Sequence, residues 1–302
     1  MDYREIPAAG PAAELVECAW RARTPVASEG RVLPDGCMDL IVLGGRIVVA
    51  GPDTAAHRTT TPAGSVTTGL RFRPGALPAL LGVPAAELRD RRPALDDVLP
   101  APRRAALAAA PAAPAAPATV GRLPAAIAHR SPAPPEGYVG AAERGPDDPA
   151  VPLGDLARLF GVLSALRAAA DDDRVGLPAP LPRPALRALA RGMPAGELAD
   201  RLGVTTRTLH RRCLATLGYG PSVARRVLRF RTASRLLYDG VPPAEVAARA
   251  GYADQPHLSR EVRALAGVPA TALHPGSPGR GPDTQVQANR SSDCPSGSRT
   301  VA

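Results

Sequence analysis

The side chains best suited to chemistry in this sequence are arginines concentrated in one stretch. The chain has no lysine, so all 37 of its basic residues are arginines. Between Arg183 and Gly276 there are 15 arginines and 6 acidic residues, a formal charge of +9, whereas the other 22 arginines are balanced by 22 acidic residues. Guanidinium groups bind phosphates and guanine edges through paired hydrogen bonds. The local excess therefore indicates a polyanionic partner for this stretch alone.

A helical unit occurs twice within the basic stretch, over residues 197–212 and 245–260. In each copy a short apolar-faced helix ends at a glycine, Gly203 or Gly251, and a capping residue, Thr205 or Asp254, opens a second helix. This pattern is typical of a helix-turn-helix, in which the glycine takes the left-handed conformation at the turn. Two such copies, together with the local charge, favour DNA binding over a plain helical bundle with a solvated arginine face.

An apolar stripe between the copies predicts a helix that joins them. Its members are Val223, Val227, Phe230, Ala233, Leu236 and Leu237. The residues from Val223 to Tyr238 span ~24 Å as a helix. With the units at its two ends, the second helices can lie about one DNA turn apart, ~34 Å. We therefore expect both to enter successive major grooves on one face of a duplex.

The segment Glu197–Ala272 resembles the DNA-binding domain of the AraC/XylS family of transcription regulators. The matching segments are 202–211, 229–237 and, most specifically, 250–260 with Gly267. The N-terminal part resembles an uncharacterised domain that precedes such regulators, through segments 33–40 and 69–76. The chain departs from the family at Cys213 and Val262, where a large aromatic residue is usual, and at 267–270. We expect a looser core at those places.

The resemblance implies that the exposed face of each second helix contacts base edges. By position, the DNA-binding residues are Arg207, His210, Arg211, Gln255, His257, Ser259 and Arg260. Arginine pairs with guanine and glutamine with adenine, so these residue types suit the role. The alternatives are intramolecular ion pairs for Arg211 and Arg260 and plain surface or capping roles for the two histidines.

Other arginines on or near the connecting helix are candidates for phosphate contacts or for simple solvation. They are Arg225, Arg226, Arg229 and Arg235. Phosphate contacts set register and affinity rather than sequence preference. The neighbouring Cys213 lies on the apolar side with Leu209, which favours a buried core residue over a reactive thiol.

The N-terminal residues 1–99 are predicted to form an antiparallel β-rich, barrel-like domain that senses a ligand or mediates association. Period-two alternation predicts strands over 16–23 and 66–73. The runs 38–43 and 46–50 are joined by Gly44-Gly45, which is typical of a two-residue hairpin. A short helical stretch over 76–91 is interrupted at Gly82 and Pro84.

The remaining segments connect or flank the two domains, so the fold class is α+β multidomain. An Ala/Pro-rich linker is expected over 100–152 because it has few large apolar residues to bury. Residues 153–182 form an amphipathic helix and a connector. The helix places Leu156, Leu159, Phe160, Leu163 and Leu166 on one face, which must pack on a dimer partner or on the N-terminal domain. The all-α DNA-binding domain follows over 183–274, and 275–302 is expected to be a disordered tail.

Composition excludes several protein classes. No run of 18 apolar residues is present, so we expect neither a transmembrane helix nor membrane association. The first residues show no secretory signal, and none of the four cysteines lies in a Cys-x-x-Cys pair. A cytoplasmic protein without a disulfide framework is therefore expected.

Other chemistry has weaker support. Cys18, Cys37, Asp39 and His57 match no standard metal-ligand spacing, so no metal or cofactor is expected. Arg71 and Arg73 share a strand face, where a solvated face is favoured over a site for an anionic effector.

The sequence predicts a transcription regulator that binds specific sequences of double-stranded DNA and has no catalytic residues. A small-molecule effector and a homodimer remain open as partners. One alternative is a DNA-alkylation-responsive transferase, although the activated cysteine motif that it needs is missing around Cys18 and Cys37. The other is a ligand-binding module without a DNA function.

Overall fold

A computed structural model describes residues 2–109, 153–172, 177–275 and 285–287. The strands, in chain order, are β1 (Asp2–Pro7), β2 (Val16–Thr24), β3 (Ser28–Val32), β4 (Met38–Leu43), β5 (Arg46–Ala50), β6 (His57–Thr61), β7 (Ser65–Phe72) and β8 (Gln285–Gln287). The α-helices are α1 (Leu77–Leu81), α2 (Ala85–Leu88), α3 (Leu95–Val98), α4 (Ala101–Ala109), α5 (Leu153–Asp172), α6 (Arg183–Ala190), α7 (Ala195–Arg201), α8 (Thr206–Leu217), α9 (Pro221–Tyr238), α10 (Pro243–Arg249) and α11 (Gln255–Ala266). Short 3-10 helices cover Gly10–Glu14 and Ala270–Leu273.

The alternating apolar residues of the N-terminal part form a five-stranded antiparallel sheet in the order β1-β2-β7-β4-β5. The predicted hairpin joins β4 and β5, and its turn residues Gly44 and Gly45 have φ of 55° and 77°, as a two-residue turn of this kind requires. Trp20 pairs with Gly69 across β2 and β7. A Cβ at Gly69 would lie 2.5 Å from the indole ring, so only glycine leaves room for Trp20 there.

A second sheet, in the order β6-β3-β8, faces the first across a cavity. The predicted antiparallel β-rich domain is therefore confirmed as two sheets. Strands β1, β3 and β6 were not predicted, because they are largely polar and show no apolar alternation. The tail contributes β8, which runs parallel to β3. Those three residues depart from the expected disorder, and the rest of 276–302 lies outside the described residues.

Helices cover the other face of the five-stranded sheet and complete its core. Leu70 and Phe72 of β7 are fully buried there, with Leu81 of α1 and Leu159 and Leu166 of α5. The predicted amphipathic helix thus packs on the N-terminal domain. Within α5 the exception is Phe160, which is 38% exposed although the periodicity placed it on the buried face.

The expectation that the linker begins at residue 100 is wrong for residues 101–109, which form α4. The anchor of α4 is a buried charge, since Arg103 is only 2% exposed. Its Nη1 donates to the carbonyl oxygens of Ala79 and Leu80, which α1 leaves unpaired at its C-terminal end. Apolar content could not reveal this helix, because a guanidinium group holds it. Residues 110–152 lie outside the described residues.

The C-terminal domain has two cores that share the connecting helix α9. The first half of α9 contributes Val227 to the core of the first helical unit. The second half contributes Phe230 and Leu237 to the core of the second. This continuous helix of 18 residues spans ~27 Å and confirms the predicted connection.

The N-terminal domain packs directly on α9. The Arg231 Nη2 atom donates to Glu17 Oε2 at 2.6 Å, and its Nη1 atom donates to Cys37 Sγ at 3.5 Å. Leu33 also enters the core of the second helical unit. Among the described residues, no helix has the length and apolar character needed to cross a bilayer.

Candidate nucleic-acid interface

Both predicted helix-turn-helix units are present. Gly203 separates α7 from α8 with φ of 64°, and Gly251 separates α10 from α11 with φ of 71°. These left-handed conformations favour glycine. At the start of α8 the Thr205 hydroxyl accepts from the Thr208 amide at 3.1 Å, and at the start of α11 the Asp254 carboxylate accepts from the His257 amide at 2.6 Å. The capping residues are therefore those that the sequence indicated.

Equivalent residues bury the inner faces of α8 and α11, which we call the recognition helices. In α8 they are Leu209, Cys213 and Leu217, and in α11 they are Leu258, Val262 and Ala266. Burial raises the pKa of Cys213 to about 12, against a smaller opposing effect of Arg212. Cys213 is thus a protonated core residue, as the sequence predicted.

The outer face of α8 presents unpaired positive charge. Arg207 and Arg211 lie one turn apart, both are exposed, and neither has a hydrogen bond or ion pair within the described residues. Like charges at this spacing repel, and α8 contains no acidic residue to offset them. The third arginine, Arg212, is committed elsewhere, because it donates to the carbonyl oxygens of Ala179 and Pro180. A polyanion would relieve the repulsion between Arg207 and Arg211.

The outer face of α11 is similar. Gln255, at its first position, and Arg260 are exposed, and Arg260 has no partner among the described residues. Ser259 is half-buried. Arg263 is also exposed and lies three residues beyond Arg260. It was not singled out from the sequence, although helical spacing from Arg260 could have identified it.

The two histidines have local structural contacts. The His210 ring lies against the start of α9, where a Cβ at Gly220 would be 2.7 Å from Nε2. The half-buried His257 ring packs edge-on against Tyr252, and its Nδ1 accepts from the Ala253 amide at 3.4 Å. These contacts favour the alternative of capping and packing roles, so base contact by either histidine stays a prediction.

The four arginines of the connecting helix that were candidates for phosphate contact divide into two pairs. Arg226 binds Glu261 of α11 through two hydrogen bonds of 3.0 and 3.1 Å. The Arg229 guanidinium stacks on the Tyr252 ring at 4.2 Å and donates to the Gly251 carbonyl. Both fix the second unit against α9. Arg225 and Arg235 have no such partner in the described part of the chain and remain the candidates for phosphate contact.

The residues singled out in the N-terminal domain meet a different environment. Cys18 is buried beside Trp20, whereas Cys37, Asp39 and His57 line the cavity between the sheets. Within the described ranges, no three or more such side chains are grouped to hold a metal ion. Burial raises the pKa of Asp39 to about 6, with Arg71 acting in the opposite direction.

The interpretation of Arg71 and Arg73 as a solvated pair is wrong. Arg71 is only 4% exposed and contacts Glu5 at 2.9 Å, Asp39 at 3.3 Å and Asp35 at 3.6 Å. Arg73 instead donates to the Ala13 carbonyl. The three acidic partners come from distant parts of the chain, so local alternation could not reveal them.

Comparison with known proteins supports the two-domain description. Residues 198–274 match a family model described as a helix-turn-helix domain, and residues 4–93 match one described as a domain of unknown function (DUF6597). These matches confirm both resemblances drawn from the sequence, and the C-terminal part is a helix-turn-helix DNA-binding domain. No curated protein matches the chain.

Two crystal structures of ToxT from Vibrio cholerae are similar to this chain. One, of an apo point variant, is 9% identical and covers 83% of this chain and 93% of its own, with a TM-score of 0.38. The other is 10% identical and covers 90% and 98%, with a TM-score of 0.36. These scores are too low for the likeness to bear on function.

Proposed function

We propose that this chain, which carries a helix-turn-helix domain after a domain of unknown function, is a sequence-specific transcription regulator that reads two successive major grooves. The observation that carries the proposal is the unpaired arginine face on each recognition helix. Arg207 and Arg211 on α8 and Arg260 on α11 are exposed and uncompensated. Neighbouring arginines of this kind repel each other in the free protein, and binding to the DNA phosphates and bases relieves that repulsion.

The base-reading roles follow from residue chemistry. Arg207, Arg211 and Arg260 pair with guanine O6 and N7, and Gln255 pairs with adenine N6 and N7. Ser259 contacts a base edge from α11, beside Gln255 and Arg260. Because α9 is one continuous helix packed in both cores, it sets the spacing of the two recognition helices in the free protein. A spacing set in this way supports recognition of two half-sites about 10 bp apart.

Regulation belongs to the N-terminal domain. Its cavity and its direct contact with α9 through Glu17 and Arg231 support this assignment. The alkyl-transfer alternative is disfavoured by burial of Cys18, Cys37 and Cys213. An alkyl acceptor needs a thiolate, and burial raises the pKa of Cys37 and of Cys213.

Salt dependence tests the DNA contacts of the connecting helix. We expect the double variant Arg225→Gln/Arg235→Gln to reduce the slope of log K against log salt by about 1.8, since each phosphate contact contributes about 0.9. Fluorescence anisotropy with a labelled duplex across a series of salt concentrations gives the slope. Arg46→Gln, at an exposed position in β5, is the matched control and should leave the slope unchanged. Equal slopes for the double variant and the control would contradict the assignment.

A further inference from the structure

The cavity between the two sheets has a charged end and an end where apolar and hydroxyl side chains mix. Its volume is ≈ 610 Å³, within the range of small-molecule sites. Asp39 and Arg71 are register partners at the end of the sheet nearest the DNA-binding domain. Leu43 and Val66 lie at the other end and are 57% and 39% exposed. Hydroxyl side chains, among them that of Ser65, line this end as well, so the cavity opens to solvent through a mouth of apolar and hydroxyl side chains.

Each arginine that lines the cavity in the described part of the chain already has a carboxylate partner. Three aspartates and three arginines face it, namely Asp35, Asp39, Asp53, Arg58, Arg71 and Arg92. Arg71 pairs with Asp35 and Asp39, Arg92 with Asp53, and Arg58 with Glu29. An anionic ligand would have to break one of these ion pairs to reach an arginine, which is costly where the pair is buried. An uncharged molecule with a hydrogen-bonding end and an apolar body fits without that cost.

One segment of the cavity wall touches the first half of α9. Leu33, Asp35 and Cys37 line the cavity, while Gly36 between them faces the DNA-binding domain. A Cβ at Gly36 would lie 3.1 Å from Leu228 Cδ2 and 3.3 Å from Tyr219 Oη. The wall is therefore a single layer of chain at this point.

A second segment touches the ends of both recognition helices. Gly51, Asp53 and His57 line the cavity, and the residues between them face outward. Pro52 packs on Gly218, the C-cap of α8, where a Cβ would be 2.5 Å from Pro52 Cγ. The Ala56 amide donates at 2.7 Å to the carbonyl of Leu265, in the last turn of α11. Movement of this segment would shift both helix ends.

We infer that the cavity binds an uncharged, amphipathic small molecule, and that its occupancy changes the placement of α8 relative to α11. The second half of this inference rests on the proposed DNA-binding function, and the first half does not. The contacts of Gly36, Pro52 and Ala56 connect the cavity to the DNA-binding domain, because each of these three residues is next in sequence to a residue that lines the cavity.

Trp20 reports on the cavity directly, since it is the only tryptophan of the chain and lines the space. We expect Prodan, a neutral naphthalene ketone, to quench Trp20 emission saturably in the full-length protein. The anionic probe anilinonaphthalene sulfonate should bind at least tenfold more weakly, about one decade in Kd.

Val48→Phe narrows the cavity and should weaken Prodan binding about tenfold. Val26→Phe, at an exposed position outside the lining, is the matched control. Absence of saturable quenching, or an equal affinity in Val48→Phe and the control, would overturn the binding site.

The coupling is tested by reciprocity. Saturating Prodan should change the Kd for duplex DNA by about fivefold or more, and saturating duplex should change the Kd for Prodan by the same factor. Pro52→Ala removes the contact with Gly218 and should bring that factor toward one while Trp20 quenching persists. Prodan binding without any effect on duplex affinity would overturn the coupling alone. If the chain bound no duplex but Trp20 were still quenched, the proposed function would fail and the cavity site would stand.

Discussion

Replacing Arg260 by alanine should weaken binding to the preferred duplex by about 5- to 150-fold, equivalent to ~1–3 kcal/mol, and should abolish discrimination at one base pair. Arg211→Ala should do the same at a different base pair, about one helical turn away. The reason is that each side chain is exposed on a recognition helix with no partner in the described structure, so its hydrogen-bonding capacity is available to a base. Anisotropy titrations on duplexes with single base-pair changes measure both effects.

Two controls separate base contacts from general electrostatics. Arg225→Ala removes a predicted phosphate contact and should weaken all duplexes equally. Arg46→Ala, in the N-terminal sheet, should change nothing. If Arg260→Ala lost the same affinity for every duplex, Arg260 would be a phosphate ligand and the base-reading assignment would be wrong.

Arg231→Met should lower the free energy of unfolding by about 3–5 kcal/mol. The substitution leaves the Glu17 carboxylate buried at the domain contact without its partner, and the two side chains are only 9% and 15% exposed. Glu17→Gln should also destabilise the protein, whereas the double variant should be less destabilised than the sum of the two. Denaturant unfolding of the four proteins measures the coupling. Arg58→Met, which removes an exposed pair with Glu29, should cost less than about 1 kcal/mol.

The same pair predicts a pH dependence. Burial alone would raise the pKa of Glu17, but the charge and hydrogen bond of Arg231 outweigh it and lower the pKa below 4.5. The stability from this pair is therefore complete above pH 4.5 and is lost as the pH falls through the lowered pKa. Asp39 has the opposite effect because its pKa is raised to about 6. Its contribution to the free energy of unfolding therefore falls as the pH rises from 3.8 to 6. Comparing wild type with Glu17→Gln cancels the Asp39 effect. Identical acid slopes in the two proteins, or an additive double variant, would contradict the domain contact.

The helix-turn-helix units could be predicted from sequence because their signals are local. Gly203, Gly251 and the capping residues Thr205 and Asp254 determine turns and helix starts through contacts within a few residues. The hairpin at Gly44-Gly45 was predicted for the same reason. The parts of the fold that position the candidate site could thus be predicted from turn residues and apolar periodicity.

The parts that were missed depend on contacts between distant residues. Helix α4 is held by Arg103 donating to carbonyls of α1, which a search for apolar faces cannot find. Arg226 and Arg229 look like Arg225 and Arg235 in sequence, and only the folded positions of Glu261 and Tyr252 separate them. The cavity is likewise invisible to sequence, since its wall is assembled from both sheets and several loops.

The central claim is that two recognition helices, fixed on one connecting helix, read two grooves of the same duplex. Selection of bound sequences from a random duplex library by the full-length protein tests it most directly. The account predicts enrichment of a bipartite site whose halves are centred about 10 bp apart. Arg211→Ala should degrade the information in one half and Arg260→Ala that in the other. Enrichment of a single undivided half-site, or of halves whose spacing is unrelated to the DNA helical repeat, would contradict the claim.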